Sequence, residues 1–283
     1  MSRLAILGAS SCIGHYLCHE VVRRREHEVL GSYRRNRPLI DVPVFSAENH
    51  DWSEFDRQLR AFSPTHLFNL LRGEDDDGLT LHWQLITFCE LHSVHYCYAS
   101  SFNAVDGDTT IAHQDSDPPN AQSDYGIFKA TCERALSETL ISCSVFRFPQ
   151  VPAWAPFCVS RTERLLQRLQ AGERVVVDAG CLQNRLAAPL LATMMLAVAE
   201  RKGQGVYNLG AVDWSDDQVF SRNLALAFGY SSSQIVEGDH DHCNAVMLPE
   251  RVVAELGEEH GHTEAETLTV LRNTPELQRY VLS

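Results

Sequence analysis

Apolar and amphipathic segments alternate six times within the first 150 residues. Apolar segments of strand length, such as Leu4–Leu7 and His95–Ser100, are separated by longer segments with helical spacing, such as Ile13–Arg25 and Tyr125–Leu140. This alternation favours a parallel, doubly wound α/β sheet, because parallel strands need a crossover helix between them. Ligands of such sheets bind at the carboxyl ends of the strands, so polar residues there are the candidate site.

The pattern changes beyond Pro149, where shorter strands and helices are mixed less regularly. We predict a first domain over 1–150, joined by roughly 186–210, and a second lobe over 151–283. Within the second lobe the spacing predicts helices at 161–169, 190–200 and 216–228, strands at 175–177 and 206–209, and a charged tail with one helix near 249–256.

Composition narrows the class of protein. The 24 Lys and Arg against 37 Asp and Glu give a net charge of −13, and the only basic run, Arg23–Arg25, is short, so we expect no nucleic-acid partner. No apolar run reaches the roughly 18 residues of a membrane span, and the N-terminus leads directly into a strand. We therefore expect a cytoplasmic protein without a membrane partner, whose scattered cysteines stay reduced.

A glycine-rich turn, Gly8-Ala-Ser-Ser-Cys-Ile-Gly14, joins the first predicted strand to the first predicted helix. Glycine lets the backbone approach a phosphate closely, and a helix N-terminus offers unpaired N–H groups. The alternative is an ordinary tight turn, but the position after the first strand favours a dinucleotide-binding turn. The cofactor-binding residues predicted in this turn are Gly8, Ser10, Ser11, Cys12, Ile13 and Gly14.

Two arginines follow the second predicted strand, in Ser32-Tyr-Arg-Arg35. Chains that bind NAD usually carry an acidic residue at this point, whereas arginine favours the 2′-phosphate of NADP. The alternative is a solvated basic turn. Arg34 and Arg35 therefore predict NADP(H) as the preferred cofactor, with NAD(H) possible.

A tyrosine and a lysine lie four residues apart in Tyr125-Gly-Ile-Phe-Lys129, at the start of a predicted helix. This spacing places them on one helix face, where the lysine charge can lower the pKa of the phenol. Ser100 and Ser101 end the preceding predicted strand, where a hydroxyl could bind a substrate carbonyl. The alternative, a surface tyrosine beside a lysine, is weakened because the three motifs occur together and in order.

These motifs resemble the extended short-chain dehydrogenase/reductases, and within them the dTDP-4-dehydrorhamnose reductase-like group. Gly8–Gly14 matches the glycine-rich turn of the family. Ser100–Gly107 resembles its Ser-Thr-Asp-Tyr-Val-Phe-Asp-Gly stretch, and Pro119–Lys129 resembles its Pro-x-Asn-x-Tyr-Gly-x-x-Lys stretch. Arg147–Val151 and Gly205–Gly210 are similar to later strands of the group. The resemblance implies a Rossmann-type doubly wound parallel sheet with a smaller C-terminal substrate-binding lobe.

The resemblance also implies NADPH-dependent reduction of a nucleotide-linked 4-keto-6-deoxysugar. Tyr125 would protonate the alkoxide, Lys129 would lower the Tyr125 pKa and hold the nicotinamide ribose, and Ser101 would polarise the carbonyl. The further cofactor-binding residues implied are Asp51 (or Glu48 in its place), Asn69, Leu70 and Phe148. The substrate-binding residues implied are Ser101, Phe102, Asn103, Trp154 and Arg185, with Arg161 and Arg164 as further diphosphate candidates.

Departures from the family leave two other functions open. Ser11 replaces the middle glycine of the turn, and Leu70 and Leu71 replace two alanines after the fourth strand. The alternatives are an epimerase or dehydratase that retains NAD, and a non-catalytic NADP-binding regulatory subunit like the methionine adenosyltransferase β subunit. We expect a monomer or homodimer. Asp239–Cys243, near His260 and His262, has metal-ligand residue types, but a solvated loop is favoured and no metal is predicted.

Overall fold

The structure is a computed structural model that describes residues 1–48, 51–238 and 242–282. Within these ranges the strands are β1 (Ser2–Leu7), β2 (His27–Tyr33), β3 (Val44–Ser46), β4 (His66–Asn69), β5 (His95–Ala99), β6 (Cys143–Arg147), β7 (Val175–Val177), β8 (Cys181–Gln183), β9 (Gly205–Asn208), β10 (Ser215–Asp216), β11 (Ile235–Glu237) and β12 (Cys243–Asn244). The α-helices are α1 (Cys12–Arg24), α2 (Trp52–Phe62), α3 (Asp76–His92), α4 (Asp124–Ser137), α5 (Arg161–Gln170), α6 (Ala188–Glu200), α7 (Asp217–Ala227), α8 (Glu250–Leu256) and α9 (Glu264–Asn273). None of the helices in the described ranges is both long enough and apolar enough to cross a membrane.

Seven strands form one sheet in the order β3-β2-β1-β4-β5-β6-β9. β1 pairs in parallel with β2 on one side and β4 on the other, so the strand order reverses direction at β1. Every residue of β4 and β5 is buried, as is typical of a parallel sheet covered by helices on both faces. The predicted doubly wound α/β fold is confirmed.

The chain divides into two compact units, of which unit 1 comprises Met1–Gly107, Ser116–Arg147 and Ala192–Tyr207. Its core lies between the sheet and the helices. The core residues include Leu7, Leu67 and Tyr96 of the sheet with Phe55 of α2 and Leu85 of α3. Each of these five side chains is fully buried.

Unit 2 comprises Asp108–Asp115, Phe148–Leu191 and Asn208–Ser283. It contains a three-stranded sheet, β10-β8-β12, and the parallel pair β11-β7. Its core includes buried residues of α5, α7 and α9, among them Leu166, Phe220 and Leu271.

The charged tail carries more regular structure than the sequence predicted. The helix predicted near 249–256 is α8, but α9 was missed. Glu264 and Thr267 lie on the buried side of α9, so the helix lacks a clear apolar stripe. The available signal was its capping box, in which Thr263 and Glu266 cap each other's backbone N–H.

Candidate active site

The glycine-rich turn lies between β1 and α1, and both of its glycines are required by its geometry. Gly8 has a φ of +88°, which favours glycine. A Cβ on Gly14 would lie 2.2 Å from the Gly8 carbonyl oxygen, so the start of α1 packs directly against the turn. This close approach keeps the helix N-terminus beside the end of β1. The turn therefore fits a dinucleotide diphosphate.

Ser11, which replaces the middle glycine of the turn, has a role in the structure. Its φ is −68°, so no glycine is needed at this position. Its hydroxyl caps α1 by accepting a hydrogen bond from the Gly14 N–H at 3.0 Å. Ser10, Cys12 and Ile13 are half-buried, so this edge of the turn is accessible.

The end of β2 lies next to the glycine-rich turn. The Gly8 N–H donates to the Ser32 hydroxyl at 3.1 Å, and the Ala9 N–H donates to the Ser32 carbonyl at 2.8 Å. Arg34 and Arg35 follow directly and are exposed. Two guanidinium groups thus lie just beyond the turn, in the position along the chain that the NADP hypothesis requires.

The residues predicted on the adenine side and after β4 have other contacts. Asp51 caps α2, where its carboxylate accepts hydrogen bonds from the Glu54 N–H and the Ser53 hydroxyl. The Asn69 amide donates to the buried Tyr96 hydroxyl at 2.8 Å. The Leu70 carbonyl would lie 3.2 Å from a Cβ on Gly8, so this residue packs against the turn.

Ser101, Tyr125 and Lys129 are brought together at the end of β5. Ser101 follows that strand, and its hydroxyl acts to lower the pKa of the Tyr125 phenol. Tyr125 and Lys129 lie one turn apart on α4, and the Lys129 Nζ is 5.7 Å from the centre of the Tyr125 ring. The same ammonium donates to the Ala99 carbonyl at 2.8 Å and lies 4.7 Å from the Tyr98 ring centre.

Burial sets the protonation of this group. It raises the pKa of the Tyr125 phenol above its ordinary value, although the Arg72 charge and the Ser101 hydrogen bond oppose part of the rise. Burial also lowers the pKa of Lys129 to about 8. At neutral pH the phenol therefore holds its proton, as a general acid must before it reacts.

Arg72 was missed by the sequence analysis. It follows β4, and its guanidinium carbon lies 5.5 Å from the centre of the Tyr125 ring. The Arg72 Nε donates to the Glu74 carboxylate at 2.6 Å. The only sequence signal was a basic residue close after a strand end, at a point where the chain departs from the family pattern.

A buried ion pair between Glu133 and Arg147 holds the helix that carries Tyr125. Glu133 of α4 accepts two hydrogen bonds from the Arg147 Nε, at 3.0 and 3.1 Å, and one from the Ser100 hydroxyl. Both charged side chains are almost fully buried. This pair fixes α4, which carries Tyr125, to β6 and to the end of β5.

The two residues that follow Ser101 in the chain are partly exposed. Phe102 and Asn103 begin a short 3₁₀ turn and are half-buried. The Asn103 N–H donates to the Ser101 hydroxyl at 3.2 Å, so this turn orients the hydroxyl. Phe148 directly follows β6 and is half-buried.

Unit 2 contains a cavity of about 530 Å³ between α5, β7 and α7. Arg161 and Arg164 of α5 line it, and Arg161 donates to the Gln150 side chain at 3.3 Å. Arg185 also lines it, but its guanidinium is buried and pairs with the carboxylates of Asp217 and Glu264.

Two of the predicted substrate-binding residues, Arg185 and Trp154, therefore make contacts within unit 2. The two carboxylates neutralise the Arg185 charge, so this guanidinium supports the cavity wall rather than offering a free charge to a diphosphate. Trp154 is half-buried and packs against the core of the unit.

One group in the described ranges has the residue types and spacing of a metal site. It consists of Glu26, His27 and Glu200. The Glu200 carboxylate is already held by Arg24 at 2.9 Å and by His27 at 2.8 Å, which is the arrangement of an ion-pair cluster. Asp239, His240 and Asp241 of the discounted metal cluster lie outside the described residues.

Comparison with known proteins shows what this chain is similar to. Residues 4–140 match the model of the NAD dependent epimerase/dehydratase family. The chain is 21% identical over 269 residues to the probable low-salt glycan biosynthesis reductase Agl14 of Haloferax volcanii, covering 89% of this chain and 84% of that protein.

Solved structures share the fold. The dTDP-4-dehydrorhamnose reductase of Bacillus anthracis, in complex with NADP, matches with a TM-score of 0.79 and 12% identity, covering 95% of this chain and 98% of that one. The dTDP-glucose 4,6-dehydratase of the same organism, in complex with NAD, matches with a TM-score of 0.81 and 10% identity, covering 98% of both chains. Residues 4–140 thus match the NAD dependent epimerase/dehydratase family, and the chain has the fold of these two enzymes. This similarity supports an NAD(P)-dependent oxidoreductase similar to the extended short-chain dehydrogenase/reductases.

Proposed function

We propose that this protein is an NADPH-dependent reductase of a nucleotide-linked 4-keto-6-deoxysugar. The observation that carries the proposal is the meeting of Ser101, Tyr125 and Lys129 at one strand end of the sheet whose first turn fits a dinucleotide. The similarity to a glycan biosynthesis reductase and to a dTDP-4-dehydrorhamnose reductase supports reduction as the reaction.

The residues of the turn and of β2 would hold the cofactor. The N–H groups at the start of α1 would bind the diphosphate, and Arg34 and Arg35 would bind a 2′-phosphate. When bound, NADPH would supply the hydride. These arginines support NADPH over NADH, because an exposed guanidinium pairs well with a phosphate and poorly with a bare ribose hydroxyl.

The three site residues would handle the proton. The Ser101 hydroxyl would donate a hydrogen bond to the substrate carbonyl oxygen, which polarises it. Tyr125 would transfer its phenolic proton to that oxygen as negative charge develops there. The Lys129 ammonium would attract the phenolate left behind.

The cavity of unit 2 would take the nucleotide diphosphate. Within the described ranges, Arg164 lines this cavity and has no ion pair, whereas Arg168 pairs with Glu173 at 2.8 Å. Arg164, and Arg161 with its neutral Gln150 partner, are therefore the guanidinium groups suited to a substrate phosphate. Of the three arginines that the sequence offered for the diphosphate, we retain Arg161 and Arg164 and leave out Arg185.

Incubation with NADPH and a panel of 4-keto sugar nucleotides tests the reaction, read as loss of NADPH absorbance. Tyr125→Phe should lower kcat/KM by about 10²–10⁴-fold, because it removes the proton donor but keeps the ring. Tyr16→Phe, which removes a hydroxyl from α1, should leave kcat/KM unchanged. Absence of NADPH oxidation with every sugar nucleotide would rule out the proposed reaction.

An epimerase or dehydratase is the second candidate, because the matched family is named for those two reactions. Such an enzyme regenerates its cofactor within each turnover. The purified protein would then carry bound NAD and convert a sugar nucleotide without consuming NADPH. Mass spectrometry of the denatured protein's supernatant distinguishes the two candidates.

A further inference from the structure

The loop after β4 places a second positive charge against the tyrosine of the site. The Arg72 guanidinium carbon lies 5.5 Å from the centre of the Tyr125 ring, within the range of a cation–π contact. The Arg72 Nε donates to Glu74 at 2.6 Å, which fixes the direction of the side chain.

The lysine of the site does not act on this ring alone. The Lys129 ammonium is buried, lies closer to the Tyr98 ring (4.7 Å) than to the Tyr125 ring (5.7 Å), and donates to the Ala99 carbonyl. Part of its charge is therefore directed at groups other than the phenol. The exposed Arg72 guanidinium above the Tyr125 ring adds a second positive charge beside the phenol.

We propose that Arg72 is a positioning residue for the proton donor, whose guanidinium holds the Tyr125 ring and stabilises its phenolate. This role rests on the proposed function. As Tyr125 gives up its proton, its O–H bond breaks, a new O–H bond forms on the substrate oxygen, and the negative charge stays on the phenol. Arg72 attracts that charge until a proton from solvent restores the phenol.

Glu74 acts in the opposite direction on the same phenol. The charge of Arg72 lowers the pKa of Tyr125, whereas the charge of Glu74 raises it. The two neighbours therefore form a pair of test positions with opposite expected signs. A merely structural role would give both substitutions the same sign, because each would simply loosen the loop.

A fluorine-labelled tyrosine at position 125 measures this effect without turnover. Site-specific incorporation of 3,5-difluorotyrosine gives one fluorine signal, whose shift with pH reports ionisation of that phenol alone. Arg72→Gln should raise the midpoint by on the order of half a pKa unit, as expected for a unit charge about 5.5 Å from the ring centre in a solvent-exposed setting. Arg72→Lys should give a smaller rise, and Glu74→Gln should lower the midpoint.

Arg57→Gln is the matched control, because Arg57 is also exposed and pairs with Glu54 three residues away, on α2. It should leave the midpoint unchanged. A wild-type midpoint in Arg72→Gln, or an equal shift in Arg57→Gln, overturns the proposal. Arg72→Met gives the same comparison if Arg72→Gln does not fold. A shifted midpoint in a protein that oxidises no NADPH keeps the role of Arg72 and removes the proposed reaction instead.

Discussion

At the scale of single residues, charge and burial divide the site into two parts. Arg34 and Arg35 are exposed and free to meet a ligand in solution, whereas Lys129 is buried against two aromatic rings. An exposed guanidinium gains most from a doubly charged phosphate. The preference between the two nicotinamide cofactors should therefore depend on the exposed pair.

Substitution of this pair tests the cofactor preference. Arg34→Gln and Arg35→Gln should each raise KM for NADPH by about tenfold, because each removes one charge-assisted hydrogen bond worth about 1.5 kcal/mol. KM for NADH should stay the same. Arg37→Gln, at another exposed arginine two residues further on, is the control. Equal changes for both cofactors would contradict the assignment of the 2′-phosphate to these residues.

At the scale of elements, the Glu133–Arg147 pair holds α4 to β6. The two side chains are almost fully buried, and Arg147 also donates to the Asp117 carbonyl at 2.8 Å. A buried ion pair adds little stability over an apolar pair, but removal of one partner leaves a buried charge without compensation. The position of Tyr125 on α4 therefore depends on a contact eight residues along the same helix.

Glu133→Ala should lower the free energy of unfolding by about 3–5 kcal/mol, because it leaves the Arg147 charge buried without a partner carboxylate. Urea unfolding followed by circular dichroism measures the loss. Glu138→Ala, at the exposed C-terminal end of α4, should change the stability by less than about 0.5 kcal/mol. A Glu133→Ala protein as stable as the control would show that Arg147 is not held by this carboxylate.

At the scale of the whole molecule, buried histidines set the response to acid. Burial lowers the pKa values of His66, His82 and His95 to about 4. The unfolded chain binds protons on these rings below a pH of about 6.5, whereas the folded chain does not bind them until about pH 4. Their contribution to stability is therefore present above pH 6.5 and is lost as the pH falls from 6.5 to 4.

Urea unfolding at pH 7, 6 and 5 tests this linkage. The free energy of unfolding should fall with pH by up to about 1.4 kcal/mol per pH unit for each histidine. His82→Gln, at a ring that is 1% exposed, should reduce the slope. A free energy that stays constant between pH 7 and pH 5 would mean that these rings bind as many protons in the folded protein as in the unfolded chain.

The sequence predicts the sheet well and the site in part. The alternating pattern predicts a parallel, doubly wound sheet, because parallel strands need crossover helices, and it places the candidate site at the carboxyl ends of the strands. The order of the strands comes from the structure. The Arg72 contact could not be predicted, because it depends on the path of a loop. The ion pairs that neutralise Arg185 could not be predicted either, because its carboxylate partners lie 32 and 79 residues further along the chain.

Each unit is assembled from three separate stretches of chain, and this has a consequence for fragments. A truncated protein that stops near residue 150 would lose β9 and the whole of α6, and β6 would become the bare edge of the sheet. Bare edges pair with other chains, so such a fragment should aggregate when it is produced alone. Co-expression of the two pieces, rather than separate purification, is then the route by which a split version of this protein would recover its native sheet.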